Sequence, residues 1–159
     1  MGYNMEMTVG TDTQTVWRRA RRDDLEALLN IERRSFDVPW TQGEMEEEFE
    51  LAYSRPWVAE QNGRVVAFGI HWLIAGESQL ADIAVHPDFQ RQGVGRRMLE
   101  KLLDDARAEG MTKMTLEVRA GNTAAIDLYL KRGFVETSRR PRYYEDRDEA
   151  VLMEISFEK

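Results

Sequence analysis

Gln90-Arg91-Gln92-Gly93-Val94-Gly95-Arg96 carries two glycines and two arginines, with Arg97 next, between an apolar stretch and an amphipathic one. Glycines at such a junction let the backbone turn and present successive N–H groups at a helix N-terminus, and phosphate is the ligand that this arrangement suits. The letters exclude two common phosphate motifs. A dinucleotide fingerprint needs a third glycine where Met98 stands, and a Walker loop needs Gly-Lys-Ser/Thr. A glycine-rich helix start with no ligand accounts for the bare Gly-x-Gly equally well. Downstream, Leu116-Glu117-Val118-Arg119 places a carboxylate on an apolar run, and Tyr129 follows on a helical pattern. A carboxylate and a phenol together can move protons. Their plainer roles are an ion pair with Arg119 or another cation for Glu117, and a core position for Tyr129. Asn122 is first a helix N-cap. His71 and His86 stand alone and read as structural, and no metalloprotease spacing exists. The chain has no cysteine, which removes thiol nucleophiles, disulfides and thiolate zinc sites together. No Gly-x-Ser-x-Gly elbow is present either. No metal is expected.

Several elements must position these groups. The polar stretch through Thr15 lacks periodicity and is expected to be a loose extension (1–15) ahead of a single domain (16–159). Val16 to Ala20 predicts a strand. Arg22-Asp23-Asp24 then offers N-cap chemistry for a helix burying Leu25, Leu28, Leu29 and Ile31, ended by Pro39. Thr41-Gln42-Gly43-Glu44 is a capping-box pattern that opens a short acidic helix with Met45 and Phe49 inward. Asn62-Gly63 predicts a hairpin between Trp57–Glu60 and Arg64–Phe68. Glu77 to Val85 is a further strand. Val94, Met98, Leu102 and Ala106 recur at helical spacing up to Gly110. Met114 to Val118 is a short buried strand, and Asn122 caps a helix ended by Gly133. Two strands fill Phe134 to Phe157, with a charged connection at Glu145 to Asp148. Strands and helices in this order make an α/β fold with one mixed sheet.

Composition narrows the partners. At 159 residues the chain suits one compact domain. It is 42% hydrophobic and 32% charged, as ordinary globular proteins are. A net charge of −7 opposes nonspecific contact with nucleic acid or anionic lipid and is compatible with a cationic partner such as an amine or a basic peptide. No apolar run reaches membrane-spanning length and the polar start is unlike a signal peptide, so a cytoplasmic protein is expected.

Taken in order, Ile83-Ala84-Val85-His86-Pro87-Asp88-Phe89-Gln90-Arg91-Gln92-Gly93-Val94-Gly95 resembles the acetyl-CoA-binding motif of the GNAT acetyltransferases. The run from Leu116 through Asn122-Thr123-Ala124-Ala125-Ile126 to Tyr129 and Gly133-Phe134 resembles the RimI-like branch of that family, which acetylates the N-terminal alanine of a small-subunit ribosomal protein. Ile31-Glu32, Ser35-Phe36, Pro39-Trp40, Arg140, Tyr143-Tyr144, Ala150 and Met153 fit the same pattern. The resemblance implies a GNAT fold: a central mixed, mostly antiparallel sheet of about seven strands flanked by about four helices. It implies acetyl-CoA as co-substrate, its pantetheine arm pairing with Ile83, Ala84 and Val85. The pyrophosphate would lie on the backbone of Arg91, Gln92, Gly93, Val94, Gly95 and Arg96, with Asn122 also facing the cofactor. Glu117 is implied as general base, Tyr129 as general acid, and Arg140, Tyr143 and Tyr144 as acceptor-binding residues. The implied acceptor is a protein N-terminus, that of a ribosomal protein, attacked directly in a ternary complex. An α-amino group, with a pKa near 8, yields its proton far more easily than lysine near 10.4. Rival readings are a GNAT enzyme acting on a small amine and an acetyl-CoA-binding module without turnover. Ala67-Phe68 stands where relatives often carry Gly-Tyr, and the N-terminal extension has no counterpart in the pattern.

Overall fold

The computed structural model describes residues 14–144 and 148–157. Seven strands, β1 (Thr15–Arg19), β2 (Ser54–Gln61), β3 (Arg64–Ile74), β4 (Glu77–Val85), β5 (Lys113–Arg119), β6 (Val135–Arg140) and β7 (Ala150–Ser156), form one sheet in the order β1-β2-β3-β4-β5-β7-β6. The helices are α1 (Leu25–Ser35), α2 (Gln42–Glu47), α3 (Val94–Ala108) and α4 (Thr123–Arg132). β1/β2, β5/β7 and β6/β7 are antiparallel while β4 and β5 run parallel, so the sheet is mixed as expected. By packing, the chain divides into two compact units. One runs through Ile70 and takes in Asp82–Leu102; the other takes in His71–Ala81 and the chain from Leu103 onward.

In the first unit, β1 begins at Thr15, paired with Gln61, so the strand takes the last residue assigned to the extension. The first thirteen residues of that expectation lie outside the described residues. Asn62 and Gly63, at φ 51° and 79°, make the expected tight turn. α1 stops at Ser35, with Phe36 already extended at φ −131°, ahead of Pro39. The Ser35 hydroxyl turns back to the Ile31 carbonyl at 2.7 Å. Thr41 and Glu44 form the capping box that starts α2. Met45 is buried as expected, whereas Phe49 lies past the end of α2 and is only half-buried. At Gly69 an added Cβ would stand 2.8 Å from Leu102 Cδ1 and 3.0 Å from Met98 Cγ, so glycine lets α3 lie close to β3.

Two acids in this unit face each other, Glu32 buried and Asp82 half-buried. Glu32 Oε2 accepts from the Trp40 N–H at 2.9 Å, and Asp82 Oδ1 accepts from the Ile83 N–H at 2.9 Å. Their remaining oxygens, Glu32 Oε1 and Asp82 Oδ2, are buried without another partner. Burial, then the bond to Glu32 and the charges of Glu32 and Glu48, push the Asp82 carboxyl well above the usual carboxylate range. A carboxyl pushed up in this way keeps its proton to higher pH than an ordinary aspartic acid. A folded-state pKa raised above the unfolded value stabilises the fold at acid pH, and that contribution is lost as pH rises through the folded value. Asp82→Asn supplies the donor without a proton. It should gain about 1–2 kcal/mol at pH 8 over wild type and progressively less towards pH 5. Urea unfolding at the two pH values checks this; equal loss at both would contradict it.

In the second unit, β3 continues to Ile74, beyond the expected end at Phe68, and turns into β4 through Ala75-Gly76 at φ 53° and 82°. His71, Ser78 and Asp105 form a buried network. His71 Nδ1 lies 2.8 Å from Ser78 Oγ, and Nε2 lies 2.9 Å from Asp105 Oδ2. Gly110 at φ 81° ends α3, with the Met111 N–H bonded to the Ala106 carbonyl. β6 is exposed along its whole length and carries a register shift between Glu136 and Ser138, with Arg139 bonded to Glu136 and Glu149. Charge and irregularity of this kind guard an edge strand against pairing with other chains.

Candidate active site

The glycine loop belongs to the first unit. After β4, a single helical turn at Pro87–Phe89 is capped by His86, whose Nδ1 accepts from the Asp88 N–H at 3.1 Å. Gln90 Nε2 donates back to the Val85 carbonyl at 3.1 Å, tying the loop to the strand it leaves. Arg91 at φ 64° and Gly93 at φ 79° put left-handed residues on either side of Gln92. Alternating handedness of this kind turns successive N–H groups towards one side, the geometry of an anion cradle. α3 starts at Val94, and the first-turn N–H groups of Val94, Gly95 and Arg96 have no partner to make within the helix. A Cβ on Gly95 would touch Val85 Cγ2 at 3.4 Å, so this glycine serves close packing of helix on strand. At Gly93 an added Cβ meets only the end of the flexible Arg96 side chain, at 3.4 Å. Its need for glycine is a matter of φ. The residues present thus fit a diphosphate. Gly93→Val imposes left-handed strain of about 1–3 kcal/mol on this loop. Affinity for acetyl-CoA should fall about 10- to 100-fold, and titration calorimetry showing an unchanged Kd would refute the assignment.

Glu117 and its neighbours belong to the second unit. β4 and β5 pair at Ser78↔Met114 and Gln79↔Thr115, while pairing with β7 continues through Glu117↔Leu152 to Arg119↔Ala150. The Glu117 side chain is 38% exposed, with Oε2 3.5 Å from Arg140 Nη1. Arg140 closes β6 opposite Ala150. The chain then turns at Arg142, φ 54°, and the N–H groups of Tyr143 and Tyr144 both donate to the Asp148 carbonyl, at 3.1 and 3.3 Å. The two tyrosine rings meet edge to face at 5.1 Å. Arg140 lies 5.3 Å over Tyr143, and Arg119 4.1 Å over Tyr144. Burial raises the Tyr144 hydroxyl above its ordinary value and the Glu117 charge adds to this, against the opposing Arg119. That hydroxyl remains a proton-bearing donor at neutral pH.

The fold gathers Glu117, Arg140, Tyr143 and Tyr144 into one cluster. Glu117 does pair with a cation, but with Arg140. Arg119 instead stacks on Tyr144, a placement the sequence pattern does not reveal, because the two residues lie far apart in the chain. Asn122 caps α4, its Oδ1 accepting from the Ala125 N–H at 3.2 Å. Tyr129 is 5% exposed, the buried residue of α4, with its ring 5.6 Å from Phe134. Of the charged connection expected at Glu145 to Asp148, the first three residues lie outside the described residues. Asp148 Oδ2 comes within 3.4 Å of the Gly121 N–H. A recess of about 500 Å³, lined by Arg22, Phe49, Glu46, Glu47 and Glu50, contains none of the catalytic, cofactor-binding or acceptor-binding residues expected from the sequence. Among the described residues no group of acids and histidines is placed to hold a metal ion, and no helix is long and apolar enough to cross a membrane.

Residues 25–134 match the acetyltransferase (GNAT) family. The chain is 40% identical over 142 residues to the ribosomal protein bS18-alanine N-acetyltransferase of Escherichia coli (strain K12), covering 83% of this chain and 90% of that one. Among solved structures, the ribosomal-protein-S18-alanine N-acetyltransferase from Escherichia coli superposes with a TM-score of 0.86 at 36% identity, over 91% of this chain and 95% of that one. Ard1 from Thermoplasma volcanium superposes with a TM-score of 0.85 at 28% identity, over 92% and 99% of the two chains.

Proposed function

Because this chain belongs to the acetyltransferase (GNAT) family, we propose that it transfers the acetyl group of acetyl-CoA to the α-amino group of a protein N-terminus, that of a ribosomal protein beginning with alanine. The observation that carries this reading is the 40% identity, along most of both chains, to an enzyme named for that acceptor. The clustering of Glu117, Arg140, Tyr143 and Tyr144 supports it.

When bound, the thioester supplies an activated acetyl group. Ile83, Ala84 and Val85 offer β4 backbone to the pantetheine arm, and Arg91 to Arg96 offer N–H groups and positive charge to the pyrophosphate. Asn122, the N-cap of α4, is assigned a contact with the cofactor on the family resemblance. Glu117 takes the proton of the acceptor amine. Its carboxylate is in contact with solvent, which suits a relay through one water. Arg140 holds that carboxylate in place. The Tyr143 and Tyr144 rings, set edge to face, offer a partly apolar corner with hydroxyl donors to the first residues of the acceptor. The amine nitrogen would bond directly to the acetyl carbon as the carbon–sulfur bond breaks, with no covalent acyl-enzyme, and Tyr129 would give a proton to the departing sulfur.

Acetylation of a peptide beginning with Ala, beside the same peptide with a blocked N-terminus and a panel of small amines, tests the reading by mass spectrometry. Acetyl should appear on the free N-terminus alone. Acetyl on a small amine and not on the peptide would overturn the acceptor assignment. Tyr129→Phe keeps the ring packing and removes the hydroxyl, so turnover should fall about 10- to 100-fold at unchanged acetyl-CoA affinity. Wild-type turnover in that variant would remove Tyr129 from the mechanism.

A further inference from the structure

Three nitrogen groups converge at the end of β4 in a way that the chemistry above does not use. Arg34, in the last turn of α1, brings Nη1 to 3.3 Å from His86 Nε2, and Arg64, at the start of β3, brings Nη2 to 3.1 Å from the same atom. The His86 side chain is 3% exposed, whereas both arginines reach solvent. On the far side of the ring, Nδ1 accepts the Asp88 N–H, and the Asp88 carboxylate stands 4.0 Å away.

A neutral imidazole has one donor and one acceptor nitrogen. With Nδ1 accepting from Asp88, Nε2 carries the hydrogen. It then faces two guanidinium groups, and all three are donors. Were Nε2 the acceptor instead, its single lone pair would serve one guanidinium and the Asp88 N–H would lose its partner. No tautomer satisfies all three contacts. Burial and the charges of Arg64 and Arg34, opposed by Asp88, hold the imidazole pKa below its ordinary value. Among the described residues neither Arg34 nor Arg64 has a carboxylate partner; Arg64 also stacks on Phe89 at 5.2 Å. Two guanidinium groups beside one buried N–H thus bring three donors together on one side of the ring.

We propose that Arg34, Arg64 and His86 form a binding site for a phosphate-type oxyanion, which accepts hydrogen bonds from both guanidinium groups and from the imidazole Nε2–H. A phosphate fits better than a carboxylate, because its oxygens point in three directions and can meet three donors from different elements. The phosphate can come from the 3′-phosphate of coenzyme A or be free inorganic phosphate.

The chain holds only two histidines, so imidazole resonances are readily assigned, and buried His71 serves as an internal control. Titration of the full chain with inorganic phosphate, followed by nitrogen-detected imidazole spectra, should shift His86 Nε2 and raise the His86 pKa while His71 stays still. Arg34→Gln and Arg64→Gln alter solvent-reaching side chains and should each weaken phosphate binding about tenfold or more. If coenzyme A moves His86 and dephospho-coenzyme A does not, the 3′-phosphate is the occupant. If coenzyme A leaves the phosphate titration unaltered, free phosphate is. Resonances of His86 that respond neither to phosphate nor to coenzyme A, or phosphate affinity unchanged in both variants, would overturn the site. The phosphate arm requires no turnover, so it stands apart from the acetyltransferase assay.

Discussion

Glu117→Gln should lower acetyl transfer to an alanine-initiated peptide about 10²- to 10³-fold while acetyl-CoA binds with unchanged affinity. Glutamine keeps the shape of the side chain and an oxygen for Arg140, which lies 3.5 Å from the carboxylate. The cluster with Tyr143 and Tyr144 therefore persists, and what disappears is the capacity to accept a proton. A terminal amine with a pKa near 8 is mostly an ammonium ion at pH 7 and can shed its proton to solvent unaided as pH rises. The defect should accordingly shrink between pH 7 and 9, whereas a purely structural defect would persist across that range. Steady-state kinetics at several pH values, with calorimetry for acetyl-CoA, give both readouts. Turnover within twofold of wild type at pH 7 would remove Glu117 from the role of base.

Much of the fold can be read from the letters because its turns and helix ends are local. Asn62-Gly63 names its turn by residue type, Thr41-Gln42-Gly43-Glu44 names a helix start, and Asn122 and Gly133 bracket α4 as cap residues should. The pairing of β3 with β4 was harder to see. Its turn is Ala75-Gly76, and alanine at φ 53° has no side-chain acceptor to reward the left-handed conformation, so nothing in the residue type announces it. β3 accordingly looks shorter in sequence than it is. The same holds for contacts between distant segments. Glu32 and Asp82 are fifty residues apart, and each letter alone suggests a solvated acid; only the fold brings them face to face. Arg119 has the same difficulty, since stacking on Tyr144 depends on how residues beyond β6 fold back towards β5. Identity and order of motifs report chemistry; long-range partners report only once the strands are paired.

His71→Phe shows what such a hidden network is worth, and it should destabilise the fold by about 2–4 kcal/mol. Asp105 can only accept, so His71 Nε2 carries a hydrogen, and Ser78 meets the other ring nitrogen. The three letters are those of a hydrolytic triad, yet His71 and Ser78 are fully buried, where no substrate reaches them. Their role is to let polar groups on β3, β4 and α3 satisfy one another inside the second unit. Phenylalanine fills the ring's volume but withdraws both bonds, leaving a hydroxyl and a carboxylate in the core to find other partners. Asp105→Asn keeps an acceptor oxygen for Nε2 and should cost less, about 1–2 kcal/mol. For a chain of this length the His71 change corresponds to a Tm lower by roughly 5–15 °C. Turnover per folded molecule at low temperature should stay near wild type, because the network touches none of the groups assigned to catalysis. Denaturant unfolding showing less than about 0.5 kcal/mol of loss in His71→Phe would mean that the two polar neighbours are satisfied without the imidazole.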